Sequence, residues 1–175
     1  MLDVACVPEM ISVIQTLTKR SSRKLTVKEK NFAAQIFKDS LDLDEIRIDE
    51  NSHLGTHGGK YAFVMFRYIN CQGRLLPHIL IHEMVHVLQY IQSGSPYAFR
   101  NMVSHLQKHT YNYGGLDTIK RINANPESVH GLNYEQRADI FSDFTLLIMG
   151  QCPQWGMADV SHFDEYRQVV QLLLK

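Results

Sequence analysis

The residues of this 175-residue chain best suited to chemistry are His82, Glu83 and His86, which belong to the string His-Glu-Met-Val-His. On a helix, positions 82 and 86 lie about one turn apart on one face, so both imidazoles project the same way. This spacing lets two nitrogens bind one Zn²⁺ ion and leaves Glu83 beside the metal as a general base. The string therefore predicts hydrolytic chemistry with a metal-activated water.

A catalytic zinc site also needs a third protein ligand, with the fourth position left for water. A histidine six residues after His86 is excluded, because that position is Gln92. Glu135 is the better candidate, and Asp139, four residues later on the same helical face, can accept a hydrogen bond from a ligand histidine. Three histidines remain rivals for the third ligand, namely His105, His109 and His130.

Two interpretations without catalysis stay open for the His-Glu-Met-Val-His string. The first is a core helix whose two histidines are satisfied by hydrogen bonds inside the protein. The second is a binding module with a structural zinc, which needs four protein ligands and no position for water. The sequence counts against this second interpretation, because Glu83 holds the general-base position and no fourth ligand is evident.

The helix that must position the two histidines has clear boundary signals. Pro77 suits a first helical turn, and apolar residues continue without a breaker until Ser-Gly-Ser-Pro at residues 93–96. The segment is apolar nearly all round, which indicates a buried helix whose few polar residues need partners inside. A second helix, with Asn133 as its N-cap, would carry Glu135 and Asp139.

The rest of the chain predicts helices and short strands around this pair of helices. Helical periodicity marks residues 8–19, 27–40 (with Thr26 as a cap), 116–123 and 161–174. Alternating or aromatic-rich patterns mark strands at residues 43–48 and 61–70. The expected fold class is α+β, helix-rich with a small sheet, in one domain over residues 1–175.

The composition predicts a soluble enzyme and disfavours several other classes of protein. Eighteen basic and eighteen acidic residues cancel, so no electrostatic footprint indicates nucleic acid. No apolar run is long enough to span a membrane, and no basic leader suggests a secretory signal peptide. Cys6, Cys71 and Cys152 are odd in number and widely spaced, as expected for free thiols made in a reducing cytoplasm.

The two predicted helices resemble those of gluzincin metallopeptidases, which combine H-E-x-x-H with a later E-x-x-x-D. More narrowly, the sequence HEMVHVLQ at residues 82–89, followed by YEQRADI at residues 134–140, is similar to zincin-type domains at the C-termini of bacterial spike and Rhs-type toxins. In that group the later helix commonly reads EQQA, so Arg137 is a departure from the pattern. The resemblance covers roughly residues 55 to 150 and is strongest at the two helices.

This resemblance implies a zincin-like fold and a zinc-dependent peptidase with Glu83 as its general base. It further implies a bacterial effector of the type VI kind, made in the cytoplasm and delivered to the periplasm or cytoplasm of a target cell. The expected partners are a protein or peptide substrate, a cognate immunity protein and a secretion-system spike. A cell-wall peptide is the alternative substrate, since the same zinc chemistry cleaves both kinds of amide.

In such a fold the strand beside the active-site helix runs along the substrate cleft, and the resemblance assigns that role to residues 62–68. The alternative is a core strand without substrate contact. A tetrahedral intermediate also needs a donor for its oxyanion beyond the metal. Four residues between the two ligand helices are candidates for that donor or for other substrate contacts, namely Tyr111, Tyr113, His109 and His130.

Overall fold

A computed structural model describes residues 22–52, 62–93 and 111–175 of the chain. Within these ranges the α-helices are α1 (Val27–Phe37), α2 (Pro77–Ser93), α3 (Gly115–Ala124), α4 (Tyr134–Ile148) and α5 (Phe163–Leu173). The strands are β1 (Arg23–Lys24), β2 (Arg47–Asp49), β3 (Phe63–Met65) and β4 (Tyr68–Asn70), and two 3₁₀-helices cover Pro126–Gly131 and Val160–His162. The predicted α+β class, helix-rich with a small sheet, is confirmed.

The four strands form one mixed sheet in the order β1-β2-β4-β3. The pairs β1/β2 and β3/β4 are antiparallel, whereas β2 and β4 run parallel, with Ile48 opposite Ile69. Both isoleucines are fully buried, so the centre of the sheet belongs to the core. Strand β3 is the last strand on its side and packs beside α2, the helix of the two histidines.

The predicted strand at residues 61–70 is two strands in the structure, because the chain turns back at Phe66 and Arg67 to form a β3–β4 hairpin. Phe66 has a φ of 58°, a conformation that glycine or asparagine usually adopts. With phenylalanine there, the sequence carries no turn signal. The predicted strand at residues 43–48 is likewise shorter and later, since β2 begins only at Arg47.

Most helix predictions are confirmed, with small differences at the ends. Thr26 caps α1 in a capping box with Glu29, but the helix stops at Phe37 instead of residue 40, because Lys38 adopts a φ of 50°. Helix α2 runs from Pro77 to Ser93 as expected. Helices α3 and α5 match the predicted segments 116–123 and 161–174 within two residues, and the predicted helix at residues 8–19 lies outside the described residues.

Helices α2 and α4 pack against each other at the centre of the described part of the molecule. Every residue of α2 from Leu80 to Gln89 is buried, as the all-round apolar pattern predicted. Burial of each large apolar side chain contributes about 1.5–3 kcal/mol, so this pair of helices is firmly fixed. No helix among the described residues is long and apolar enough to cross a membrane.

Candidate metal centre

Helix α2 brings the two histidines together in the interior. His82 and His86 are four residues apart, and their Nε2 atoms lie 3.1 Å from each other. Their side chains are only 11% and 5% exposed. Because the surrounding positions of α2 are also buried, the two rings have little freedom to turn away.

Helix α4 supplies a carboxylate to the same point. Asn133 caps the helix in a reciprocal pair with Gln136, which fixes the direction of the first turn, as the sequence predicted for Asn133. Glu135 lies in that first turn and is 1% exposed. Its Oε2 atom is 3.3 Å from Nε2 of His82 and 3.1 Å from Nε2 of His86.

The three atoms therefore form a nearly equilateral triangle with edges of 3.1 to 3.3 Å. Around a tetrahedral zinc ion with ligand bonds of 2.0–2.1 Å, neighbouring donor atoms lie about 3.3 Å apart. Two imidazole nitrogens and one carboxylate oxygen also match the donor types of catalytic zinc sites. Within the described ranges, His82, His86 and Glu135 are the one group of three such side chains close enough to hold a metal ion.

An outer set of hydrogen bonds orients both imidazoles. Nδ1 of His82 donates to Oδ1 of Asp139 at 2.7 Å, which is the contact that the spacing of Asp139 and Glu135 suggested. Nδ1 of His86 lies 2.9 Å from Oε1 of Gln89, and Nε2 of Gln89 donates to the carbonyl of Tyr134. Once Nε2 loses its proton, as metal binding requires, each Nδ1 serves as the donor and the lone pair of each Nε2 points to the shared centre.

Gln89 was not singled out from the sequence as a functional residue. A signal was present, because Gln89 is three residues after His86 and so lies on the same face of α2. It is 6% exposed in a largely apolar helix, and a buried amide needs hydrogen-bond partners. Its two amide atoms join the ligand helix α2 to the first residue of α4.

The electrostatics of the centre favour opposite charges on its two helices. Burial lowers the pKa of His82, but the hydrogen bonds with Asp139 and Glu135 outweigh it and raise the pKa to about 10. Burial acts to raise the pKa of Glu135, yet the charge of His86 and bonds with both histidines hold it well below its usual range. The carboxylate is therefore ionised at neutral pH, the form that binds metals.

Glu83 lies next to His82 on α2 and is 7% exposed. Its negative charge is one of the influences that raise the pKa of His82, which places it within electrostatic reach of the centre. A buried carboxylate is costly unless it has partners, so its place beside the centre calls for a role.

The four candidates for oxyanion or substrate contacts have different surroundings. The ring of Tyr111 lies 6.2 Å from that of His82, centroid to centroid, and is 37% exposed, so it borders the centre on a solvent-accessible side. Tyr113 corrects the expectation, because its buried hydroxyl donates to Asp143 at 2.6 Å and is committed to the core. His130 is exposed, 3.5 Å from Glu127, and His109 lies outside the described residues.

Two further histidines bear on the centre, one as a rival third ligand and one as a neighbour on α2. His105, a rival for the third ligand, lies outside the described residues. His78 lies in the first turn of α2 and is partly buried. Burial and the charge of His82 lower its pKa, so His78 is a neutral neighbour of the centre.

Comparison with family models, curated proteins and solved structures gives no match to this chain.

Proposed function

We propose that this protein is a zinc-dependent hydrolase that cleaves peptide bonds. His82, His86 and Glu135 are the proposed ligands, and Glu83 is the proposed general base. The observation that carries the proposal is the triangle of donor atoms, whose edges of 3.1 to 3.3 Å fit one face of a zinc tetrahedron. Three protein ligands leave the fourth position for a water molecule, as catalysis requires.

The remaining chemistry is assigned to side chains of this chain. When bound, zinc lowers the pKa of a bound water towards neutrality and polarises the scissile carbonyl. Glu83 accepts the proton of the attacking water and passes it to the leaving amine. Asp139 keeps His82 in the tautomer that presents Nε2, and Tyr111, at the exposed side of His82, is the candidate donor to the oxyanion.

The strand beside α2 supports a peptide as the proposed substrate. Residues 62–68 are proposed to lie along the substrate cleft, and the turn at Phe66 limits the extended part to β3. Strand β3 ends the sheet and packs beside the histidine helix. An extended peptide can add to such an edge by main-chain hydrogen bonds, which would bring its backbone alongside α2.

Bacterial toxin activity is proposed from the resemblance of the two ligand helices.

The decisive experiment combines metal analysis with Glu83→Gln. The wild type, loaded with Zn²⁺ and dialysed, should hold about one zinc per chain, and Glu83→Gln should hold the same amount. The variant should lose about 10²- to 10⁴-fold in hydrolysis of an unstructured protein, since general-base catalysis contributes that much. Glu127→Gln, the same change at an exposed acid, is the matched control and should keep full activity.

Each outcome bears on a separate part of the proposal. Full activity in Glu83→Gln would contradict the assignment of Glu83 as the general base. A wild type that holds no zinc would contradict the proposed zinc site. Purified peptidoglycan, offered in parallel, separates a cell-wall peptide substrate from protein. Growth of bacteria that express wild type or Glu83→Gln, directed to the cytoplasm or the periplasm, tests the toxin role. Equal growth in all four cultures would count against it.

A further inference from the structure

Trp155 lies in the irregular segment between α4 and α5 and is the single tryptophan of the chain. Its indole Nε1 donates a hydrogen bond of 2.5 Å to Oδ2 of Asp139. The other oxygen of the same carboxylate, Oδ1, accepts from Nδ1 of His82. Asp139 is thus held from both sides, by the indole on one side and by a proposed metal ligand on the other.

The position of the indole is itself fixed by a second carboxylate. Oδ1 of Asp143 accepts the backbone N–H of Gln154 at 2.7 Å, and Oδ2 accepts that of Trp155 at 3.2 Å. Asp139 and Asp143 are one turn apart on α4, so both carboxylates face the Trp155 segment. One acid holds the backbone of the segment, and the other receives the indole.

Two glycines let the same segment lie directly against the start of α3. A Cβ on Gly115 would be 2.7 Å from the carbonyl oxygen of Trp155, and one on Gly156 would be 3.2 Å from Cα of Gly115. Both residues also have positive φ, at 61° and 88°. A side chain at either place would push the segment away from the start of α3, so the observed position of the Trp155 segment depends on this close approach.

We propose that Trp155 is a positioning residue of the metal centre. The indole N–H prevents the Asp139 carboxylate from rotating, so that Oδ1 stays opposite Nδ1 of His82. This holds Nε2 of His82 at the shared point with His86 and Glu135. Because the indole is a neutral donor, it orients Asp139 without neutralising the charge that the imidazole needs. The inference rests on the proposed zinc site and adds to it a contact from outside the two ligand helices.

The first test measures Zn²⁺ affinity by competition with a chromogenic chelator, so activity is not the readout. Trp155→Phe keeps an aromatic ring but loses the N–H, and it should weaken zinc binding about tenfold, at the low end for an outer partner of a ligand. Asp139→Asn should weaken binding by about 10- to 100-fold. In the Asp139→Asn background, adding Trp155→Phe should cost less than about twofold, because the bond it removes is already altered.

This double-mutant cycle separates positioning from plain packing. If Trp155 acts only by filling space, its substitution has the same effect on zinc affinity with or without the Asp139 carboxylate. Additive losses, or an affinity in Trp155→Phe equal to the wild type, would overturn the inference. A wild type that binds no zinc would overturn the proposed function together with the inference, whereas unchanged binding in Trp155→Phe alone would overturn only the inference.

A second measurement needs no change at Trp155 and therefore does not depend on how that variant folds. In ¹⁵N-labelled protein the single indole N–H gives one resonance. It should shift on saturation with Zn²⁺ and again in Asp139→Asn, since both change the carboxylate that accepts its hydrogen bond. Glu127→Gln, at an exposed acid, is the control and should leave it in place. If the chemical shift of the indole resonance changes neither with zinc nor in Asp139→Asn, the proposed contact is contradicted.

Discussion

Glu135 and Asp143, two of the three buried carboxylates of helix α4, lie about two turns apart, and their partners differ in kind. Glu135 and Asp143 are both 1% exposed, so burial alone does not distinguish them. Glu135 faces two imidazoles that can carry positive charge, and although burial opposes it, their charge and hydrogen bonds lower its pKa below the usual range. Its Oε2 atom lies close to the Nε2 atoms of His82 and His86. Because Nδ1 of each ring is hydrogen-bonded to Asp139 or Gln89, Nε2 is the nitrogen left to bind a metal.

Among the described residues, Asp143 accepts hydrogen bonds only from neutral donors. It accepts the hydroxyl of Tyr113 and two backbone N–H groups, and the Tyr113 oxygen in turn lies 2.9 Å from that of Tyr166. Burial raises the pKa of Asp143 to about 6, although these hydrogen bonds act in the opposite direction. Donors converge on this carboxylate, whereas acceptor atoms converge at Glu135. A metal ion needs the second arrangement, so the comparison distinguishes a candidate metal site from a carboxylate that supports the fold.

The largest effect that tests this difference is expected from Glu135→Ala. Loss of the carboxylate oxygen removes one corner of the donor triangle and should weaken zinc binding by more than about 100-fold, beyond the 10- to 100-fold typical of outer partners. Competition with a chelator measures the loss, and circular dichroism checks the fold. Asp143→Asn is the matched control on the same helix and should stay within about tenfold of the wild type.

Undiminished zinc affinity in Glu135→Ala would contradict the assignment of the third ligand. That role would then pass to one of the rival histidines, namely His105, His109 or His130. A loss in Asp143→Asn as large as that in Glu135→Ala would break the comparison itself.

The second effect is a pH dependence of stability that comes from Asp143. In the folded protein the carboxyl group of Asp143 has a pKa of about 6, above the value of about 3.9 in an unfolded chain. A raised folded pKa means that the stabilisation is complete at low pH and is lost as the pH rises through about 6. At about 1.4 kcal/mol per pH unit between the two values, the free energy of unfolding should fall by about 2–3 kcal/mol.

The measurement compares urea unfolding of metal-free wild type and Asp143→Asn between pH 4 and pH 7. Groups common to both proteins cancel in the difference, so the advantage of wild type over the variant should shrink across this window. A constant difference would mean that Asp143 keeps an ordinary pKa. An advantage that grows with pH would give Asp143 the sign expected of a carboxylate facing positive charge, as Glu135 does.

The convergence of His82, His86 and Glu135 could be predicted because the signals that place these residues are local. The spacing of His82 and His86 fixes their common face, and the Asn133 cap fixes the turn that carries Glu135. Asp139 follows from Glu135 by the same helical repeat. Such patterns depend on the helix alone, so they hold before any tertiary contact is known.

The surroundings of the centre could not be predicted, since they depend on how irregular segments fold back. Trp155 reaches Asp139 from sixteen residues away, through a segment held by Asp143 and by the Gly115–Gly156 approach. The hairpin turn at Phe66 adopts positive φ without glycine, so its sequence gives no warning. Long-range packing overrides local preference at such places.

The smallest expected effect distinguishes the two tyrosines beside Asp143. Tyr113 uses its hydrogen for the carboxylate, so the hydroxyl of Tyr166 donates to the Tyr113 oxygen. At pH 7 Tyr113→Phe removes a bond to a charged group, worth about 1.5–3 kcal/mol, whereas Tyr166→Phe removes a neutral bond worth about 0.5–1.5 kcal/mol. Urea unfolding should therefore rank Tyr113→Phe about 1 kcal/mol below Tyr166→Phe.

That gap should narrow at pH 4, where Asp143 is protonated and its bond with Tyr113 is neutral on both sides. Zinc affinity should stay within about threefold of the wild type in both variants, because neither hydroxyl touches the ligands or their direct partners. Equal losses of stability in the two variants at pH 7 would mean that Asp143 is not charged there. A large loss of zinc affinity would instead mean that the tyrosine cluster supports the metal centre. It would then contradict the distinction drawn between Glu135 and Asp143.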